Sequence, residues 1–373
     1  MKTFLGIALT ASLVLGCSGS PGTATVVAVA SPAGATLDPA AVPVTPSFAH
    51  LIGQKLVVRM EGTTPSAALL ARIRLGEVGG VILLGANITT RTDLIALTAK
   101  LQAAATAGHQ PRLLIAVDQE GGAIKRIAWA PPTLSPPEIS ATGRSAVART
   151  QGQQTGAALL ELGIDLDFAP VADVPATTKS FMYLEGRTFS FSSTRTATLA
   201  DAFATGLETG GVIPAMKHFP GLGFAEKNTD SYVVKILQSK ALLAAGLRPY
   251  RTAIAHDIPL IMLSNATYSA YDPVDAAGWS HAIGTTLLRG ELGFTGVTIT
   301  DSLDGTAHSR GVSERSLALK AVTAGTDMIL LTGSEATTQA TFLALLADAQ
   351  AGTFSKTALL ASYDRILAMK AGL

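Results

Sequence analysis

Beyond about residue 47 the chain repeats one pattern: a short apolar run, a polar or glycine-rich break, then a longer amphipathic segment. The apolar runs span 55–60, 80–84, 113–117, 166–171, 212–216, 260–263, 297–300 and 328–331. They are nearly continuous in hydrophobic residues, which is how a strand reads when a parallel sheet covers both its faces. The segments 65–75, 93–107, 145–162, 194–209, 239–256, 284–292, 313–324, 335–351 and 355–369 read as helices. Eight strands alternating with helices predict a single (β/α)8 barrel, the TIM-barrel form of the α/β class. A doubly wound open sheet is the rival arrangement. Its dinucleotide-binding version draws no support, because no Gly-x-Gly-x-x-Gly follows the first strand.

A barrel places its chemistry where the strands end. The third run ends in Asp118-Gln119-Glu120-Gly121-Gly122, and the fourth leads to Asp173. The fifth ends in Lys217-His218, the sixth in Ser264-Asn265, the seventh in Asp301-Ser302 and the eighth in Thr332-Gly333-Ser334. Asp, Ser and Asn at such places also cap helices, and Asp173 and Ser334 are read that way first. Several polar ends converging on one ring still point to a site.

The richest end is the fifth. Pro220, Gly221 and Gly223 open a loop that carries Glu226, Lys227, Asn228 and Asp230. Asp301, at the mouth of an apolar barrel, is a candidate nucleophile or base. Asp118 is another, and its Gln-Glu-Gly-Gly sequel predicts a tight turn suited to close approach by a ligand. Lys217 is either a Schiff-base lysine, as in barrel aldolases, or a donor to substrate hydroxyls. His218 is an acid/base or a further donor. No His, Cys and carboxylate cluster has metal-site spacing, and no Gly-x-Ser-x-Gly elbow is present.

These residues resemble a known family. Lys217-His218-Phe219-Pro220-Gly221 is similar to the KHFPG motif of family 3 glycoside hydrolases, in particular the single-domain bacterial β-N-acetylhexosaminidases. Ile52-Gly53-Gln54 with Glu61-Gly62-Thr63 looks like the family's opening, and Gly79 to Ile88 like its second strand. Asp118 to Gly122 followed by Arg126 resembles its substrate-binding segment. Phe168 to Val174 and Gly186-Arg187-Thr188-Phe189-Ser190 match two more signatures. Gly293 to Val297 with Thr300-Asp301 looks like the segment bearing the nucleophile. The likeness runs from about residue 48 to the C-terminus and leaves no room for the second α/β domain of larger members.

The resemblance implies a retaining β-glycosidase that removes terminal β-linked N-acetylglucosamine through a covalent glycosyl-enzyme. Asp301 would be the nucleophile. Asp118 would accept hydrogen bonds from sugar hydroxyls, and Arg126, Arg187, Lys217 and His218 would donate to the sugar. No cofactor is implied. The family's acid/base loop departs here: Leu222 replaces a His, and Asn228-Thr229-Asp230-Ser231-Tyr232 holds no His where the family has an Asp-His dyad. Asp230 is then the acid/base expected, with Glu226 second. The alternative is a catalytically weakened saccharide-binding protein of the same fold.

Composition narrows the partners. Of 373 residues, 48% are hydrophobic and 15% charged, with a net charge of +1. That supports a large core, and the lack of a basic tract argues against nucleic acid. The first residues, with Lys2 ahead of the apolar stretch 3–15 and Val14-Leu15-Gly16-Cys17, look like a lipoprotein signal with Cys17 as the lipidated residue. Residues 18–46, rich in Ser, Pro, Gly, Ala and Thr, read as a flexible linker, with the barrel at 47–373. The expectation is an exported monomer, lipid-anchored to the outer face of the cell membrane and acting on an oligosaccharide or a cell-wall-derived muropeptide. Trp129 and Trp279 are read as sugar-stacking or as packing residues. His256 and His281 are read as surface residues, as is His308 on the loop after the seventh strand.

Overall fold

The computed structural model describes residues 46–373, so the signal segment, Cys17 and all but the last residue of the 18–46 linker lie outside the described residues. The eight apolar runs form β1 (Leu56–Arg59), β2 (Gly80–Ile82), β3 (Leu114–Val117), β4 (Leu166–Asp167), β5 (Ile213–Phe219), β6 (Leu260–Leu263), β7 (Val297–Thr300) and β8 (Ile329–Leu331). They pair in parallel in chain order, and β8 returns to β1. A lone bridge between Ile299 and Met328 joins β7 to β8, so the sheet is a nearly closed (β/α)8 barrel.

Each strand divides its side chains between two layers, because successive residues point to opposite faces. Val57, Ile82, Leu114, Leu166, Ala215 and Met262 belong to the cluster that fills the barrel. Val58, Val81, Ile115 and Val117 pack instead with Leu69, Leu97 and Leu101 of the flanking helices. At the N-terminal end of the barrel, buried Asp165 accepts two hydrogen bonds from Arg112 at 2.9 and 2.6 Å. Buried Asp327 does the same for Arg365 at 3.1 and 2.7 Å. These pairs tie strand starts to neighbouring elements and leave the opposite face for chemistry.

Two differences from the sequence reading have local causes. The fourth run pairs only over Leu166–Asp167, with a lone bridge from Val171 to Lys217, since Pro170 offers no N–H to a ladder. The segment after β7 is the helix Leu303–Arg310 and not a loop, and His308 sits exposed on it. Only Leu303, Thr306 and Ala307 of that helix are buried, and Gly305 lowers its propensity, so its helical period is faint.

Candidate active site

Lys217 and His218 lie near the end of β5, and the peptide between them is cis. Lys217 Nζ donates to Asp118 Oδ1 at 2.8 Å and lies 2.7 Å from Glu120 Oε1. Arg187 grips the same Glu120 with two N–H groups, at 2.8 and 2.7 Å. Arg126 Nη2 comes within 3.5 Å of Asp118 Oδ2. Asp118 leaves the end of β3, and the hairpin of Gln119–Gly121 with Ile124–Lys125 carries Glu120. The tight turn is real, with Gly121 and Gly122 both at positive φ. Its glycine serves packing, however: a Cβ at Gly121 would meet the Leu134 carbonyl oxygen at 2.8 Å.

Charge balance governs this corner. Burial alone pushes the Glu120 carboxyl up, but the Lys217 and Arg187 charges reverse that and hold it at about 2. Burial likewise disfavours the Lys217 ammonium, yet Asp118 and Glu120 raise it above its ordinary value. A lysine held protonated is a donor and not a carbonyl nucleophile, so the Schiff-base reading loses its chemistry. Glu120→Gln should cost about 3–5 kcal/mol, because it leaves buried cations undercompensated. Urea unfolding at neutral pH checks this. The carboxyl is held low, so the difference from the native chain should be full above its unfolded value of 4.5 and shrink as the pH falls towards 2.

Asp173, read first as a helix cap, is fully buried, and no helix begins there. Its Oδ2 lies 2.7 Å from His218 Nδ1, and its Oδ1 accepts from the Leu222 N–H at 2.7 Å and the His218 N–H at 3.3 Å. A carboxylate acceptor keeps the proton on Nδ1 and leaves Nε2 for the recess, 4.0 Å from Asp301 Oδ2. Ser334 is the cap expected, accepting from the Thr337 N–H at 3.2 Å. Asp301 follows β7; its N–H donates to the Leu263 carbonyl at 3.0 Å, and its Oδ1 accepts from the Ser302 N–H at 2.7 Å.

The loop after β5 is seated on the barrel mouth. A Cβ at Gly223 would lie 1.7 Å from the Val174 carbonyl oxygen, so this glycine is required by backbone contact. Ala176 N–H donates to Gly223 O at 2.9 Å, and Phe181 N–H to Ala225 O at 2.8 Å. At the tip, Asn228 Oδ1 accepts from the Asp230 N–H at 2.9 Å, and Thr306 Oγ1 donates to Thr229 O at 3.2 Å. Gly305 makes room for this seating, since a Cβ there would come 2.9 Å from Asp230 O. Asp230 is exposed at the mouth, like Glu226, although protein atoms crowd its recess-facing side. Burial first, and then the Asp301 charge, push its carboxyl up to about 7 against the pull of His218 and Arg187.

One recess of about 400 Å³ brings together Asp118, Arg126, Arg187, Lys217, His218, Asp230 and Asp301. Glu226 is exposed and lies outside this lining. Glu120 and Thr332 were named only as polar strand ends without a role of their own, whereas Arg59, Asp304 and the wall made by Phe181, Met182 and Glu185 were not singled out. The only signal for Glu120 was a charge at the end of an apolar run. Buried Asp167 also stood inside a strand unnoticed; its Oδ1 accepts from the Gln119 N–H at 2.9 Å, and burial pushes its carboxyl up to about 8. Trp279 is buried with the Arg310 guanidinium 5.1 Å from its ring centre, whereas Trp129 is exposed.

Comparison with known proteins gives consistent findings. The model described as glycosyl hydrolase family 3 N terminal domain matches residues 50–369. A protein named as an uncharacterized secreted glycosyl hydrolase from Arthroderma benhamiae is 33% identical, over 86% of this chain and 92% of its own length. A beta-hexosaminidase from Alkalilimnicola ehrlichii is 31% identical, over 74% of this chain and 80% of its own. The solved family 3 beta-N-acetylglucosaminidase from Paenibacillus sp. superposes with a TM-score of 0.83 at 28% identity. That match covers 88% of this chain and 63% of the larger protein.

Proposed function

From the premise that this chain belongs to glycosyl hydrolase family 3, we propose that it hydrolyses terminal β-linked N-acetylglucosamine with retention of configuration. The observation that carries the reading is the placing of two carboxyls, Asp301 and Asp230, in the lining of one recess, with an Asp301 oxygen 4.0 Å from His218 Nε2. In the first step an Asp301 oxygen attacks the anomeric carbon. The bond to the leaving oxygen breaks, and that oxygen takes the Asp230 proton. In the second step Asp230, now ionised, removes a proton from water, whose oxygen displaces Asp301 from the anomeric carbon. Asp118, Arg126, Arg187, Lys217 and His218 hold the sugar ring through both displacements, the charged donors giving short, directional bonds to its hydroxyls.

The names of the relatives support the hexosamine, and the secreted relative supports export. A lipid on Cys17 would hold the enzyme as a monomer on the outer face of the membrane, where cell-wall-derived muropeptides and other oligosaccharides pass. Mass spectrometry after incubation with an activated 2-deoxy-2-fluoro β-glycoside tests the mechanism. The expected product is a covalent adduct on Asp301. Saccharide binding with no adduct from any activated β-glycoside and no turnover of an activated aryl N-acetylglucosaminide would overturn the enzyme reading in favour of a binding protein.

A further inference from the structure

A second recess backs onto the first. Residues 181–191 form the wall between them: Phe181, Met182, Glu185 and Arg187 line the catalytic recess, and Tyr183, Thr188, Phe189, Ser190 and Phe191 line the other. The second recess measures about 370 Å³. Two aromatic rings dominate it. Tyr183 is 39% and Phe191 47% exposed, and their centroids lie 4.8 Å apart with the planes tilted by 52°. The two rings are in contact with each other, so they form a closed wedge whose exposed faces are turned outward as one apolar patch. The far wall is rigid, because Arg195 Nε donates to Ser140 Oγ at 2.9 Å and its Nη2 donates to the Ser140 carbonyl.

We propose that this recess is a distal saccharide subsite, in which Tyr183 and Phe191 take a further pyranose unit of the same chain whose terminal sugar fills the catalytic recess. The inference rests on the glycosidase reading above. A pyranose presents an apolar C–H face and a polar rim, which suits an aromatic wedge edged by Ser190, Ser140 and Arg195. The shared wall supplies continuity: a chain leaving the catalytic recess crosses the one-turn helix Phe181–Leu184, on which Tyr183 and Leu184 are exposed. The sugar directly beyond the scissile bond lies against Asp230, so the wedge serves units further along. The enzyme should therefore gain affinity with chain length.

The test uses β-1,4-linked N-acetylglucosamine oligomers of two to five units and an aryl N-acetylglucosaminide that fills only the catalytic recess. Tyr183→Ala and Phe191→Ala should raise KM for the longest oligomers about three- to tenfold. They should leave the aryl glycoside unchanged, and Phe191→Trp should restore the chain-length gain. Thermal unfolding confirms that each variant is folded; if either alanine variant is not, the other carries the test. Calorimetry on Asp301→Asn separates the two readings. No binding of any oligomer would mean the glycosidase reading has failed. Binding of short oligomers with no gain on lengthening, or a gain that Tyr183→Ala and Phe191→Ala leave untouched, would overturn the distal subsite alone. So would a dimer that dissociates on Tyr183→Ala while chain-length dependence stays the same, which assigns the wedge to a second copy.

Discussion

Asp301→Asn is expected to lower kcat on every β-glycoside by about 10⁴-fold or more while leaving sugar binding within a few-fold of native. The asparagine keeps the shape that accepts the Ser302 N–H at 2.7 Å, so the mouth of β7 should hold its geometry. It cannot supply an anionic oxygen to the anomeric carbon, and the covalent intermediate is then lost. Steady-state rates on an activated aryl N-acetylglucosaminide check this, with oligomer binding by calorimetry as the control. The effect should be as large for activated as for natural leaving groups, because a good leaving group does nothing to replace a nucleophile. A loss of only tenfold would assign Asp301 an electrostatic role and leave the reaction without its covalent step.

The place of Asp301, though not its role as nucleophile rather than base, was legible in the chain alone, because it is a local property. An apolar run of strand length, a carboxylate at its end and a following polar break already placed it at a barrel mouth. The same held for Lys217 and His218. The partners of these residues were harder to see, because they act across the fold. Asp173 lies far along the chain from His218 in sequence terms, yet it fixes which ring nitrogen faces the recess. Glu120 meets Lys217 from the end of β5 and Arg187 from the segment just past the short helix Phe181–Leu184. Nothing in a one-dimensional pattern distinguishes such a residue from a solvated carboxylate beside a turn. The glycines around this site have causes that the chain alone does not display: Gly223, in the loop after β5, answers to the Val174 backbone, and Gly305, in the helix after β7, answers to the Asp230 backbone. Close approach of two backbones leaves the same mark in a sequence as a hinge does.

The seated loop leads to the second large expectation, which concerns Asp230. Asp230→Ala should lower kcat/KM on N-acetylglucosamine oligomers by about 10²–10⁴-fold, since an alkoxide leaves poorly without a proton. An aryl glycoside with an acidic phenol should lose far less in that step. Its turnover should instead stall at the glycosyl-enzyme, where water lacks a base, and azide should relieve the stall because it needs none. The pH profile supplies an independent reading. Burial and the Asp301 charge favour the neutral carboxyl, so the native enzyme keeps its acid below about 7. Its kcat/KM on oligomers should fall tenfold per pH unit above that, and Asp230→Ala should flatten this limb. Stability carries the same sign. A carboxyl raised from 3.8 to about 7 contributes most below its unfolded value, and that contribution is lost as the pH rises through about 7. Asp230→Asn should therefore be more stable than the native protein at pH 8 and little different at pH 4. Esterification of Asp301 in the intermediate removes the neighbouring charge that helps to hold the Asp230 proton. The carboxyl that gave its proton in the first step is then stabilised as the anion the second step requires, so one residue serves as acid and base at a single pH. An alkaline limb that survives Asp230→Ala would move this role to another group. Glu226 lies outside the recess lining, as does buried Asp167, which leaves Glu185 and Asp304, both in the lining, as the next carboxyls to test.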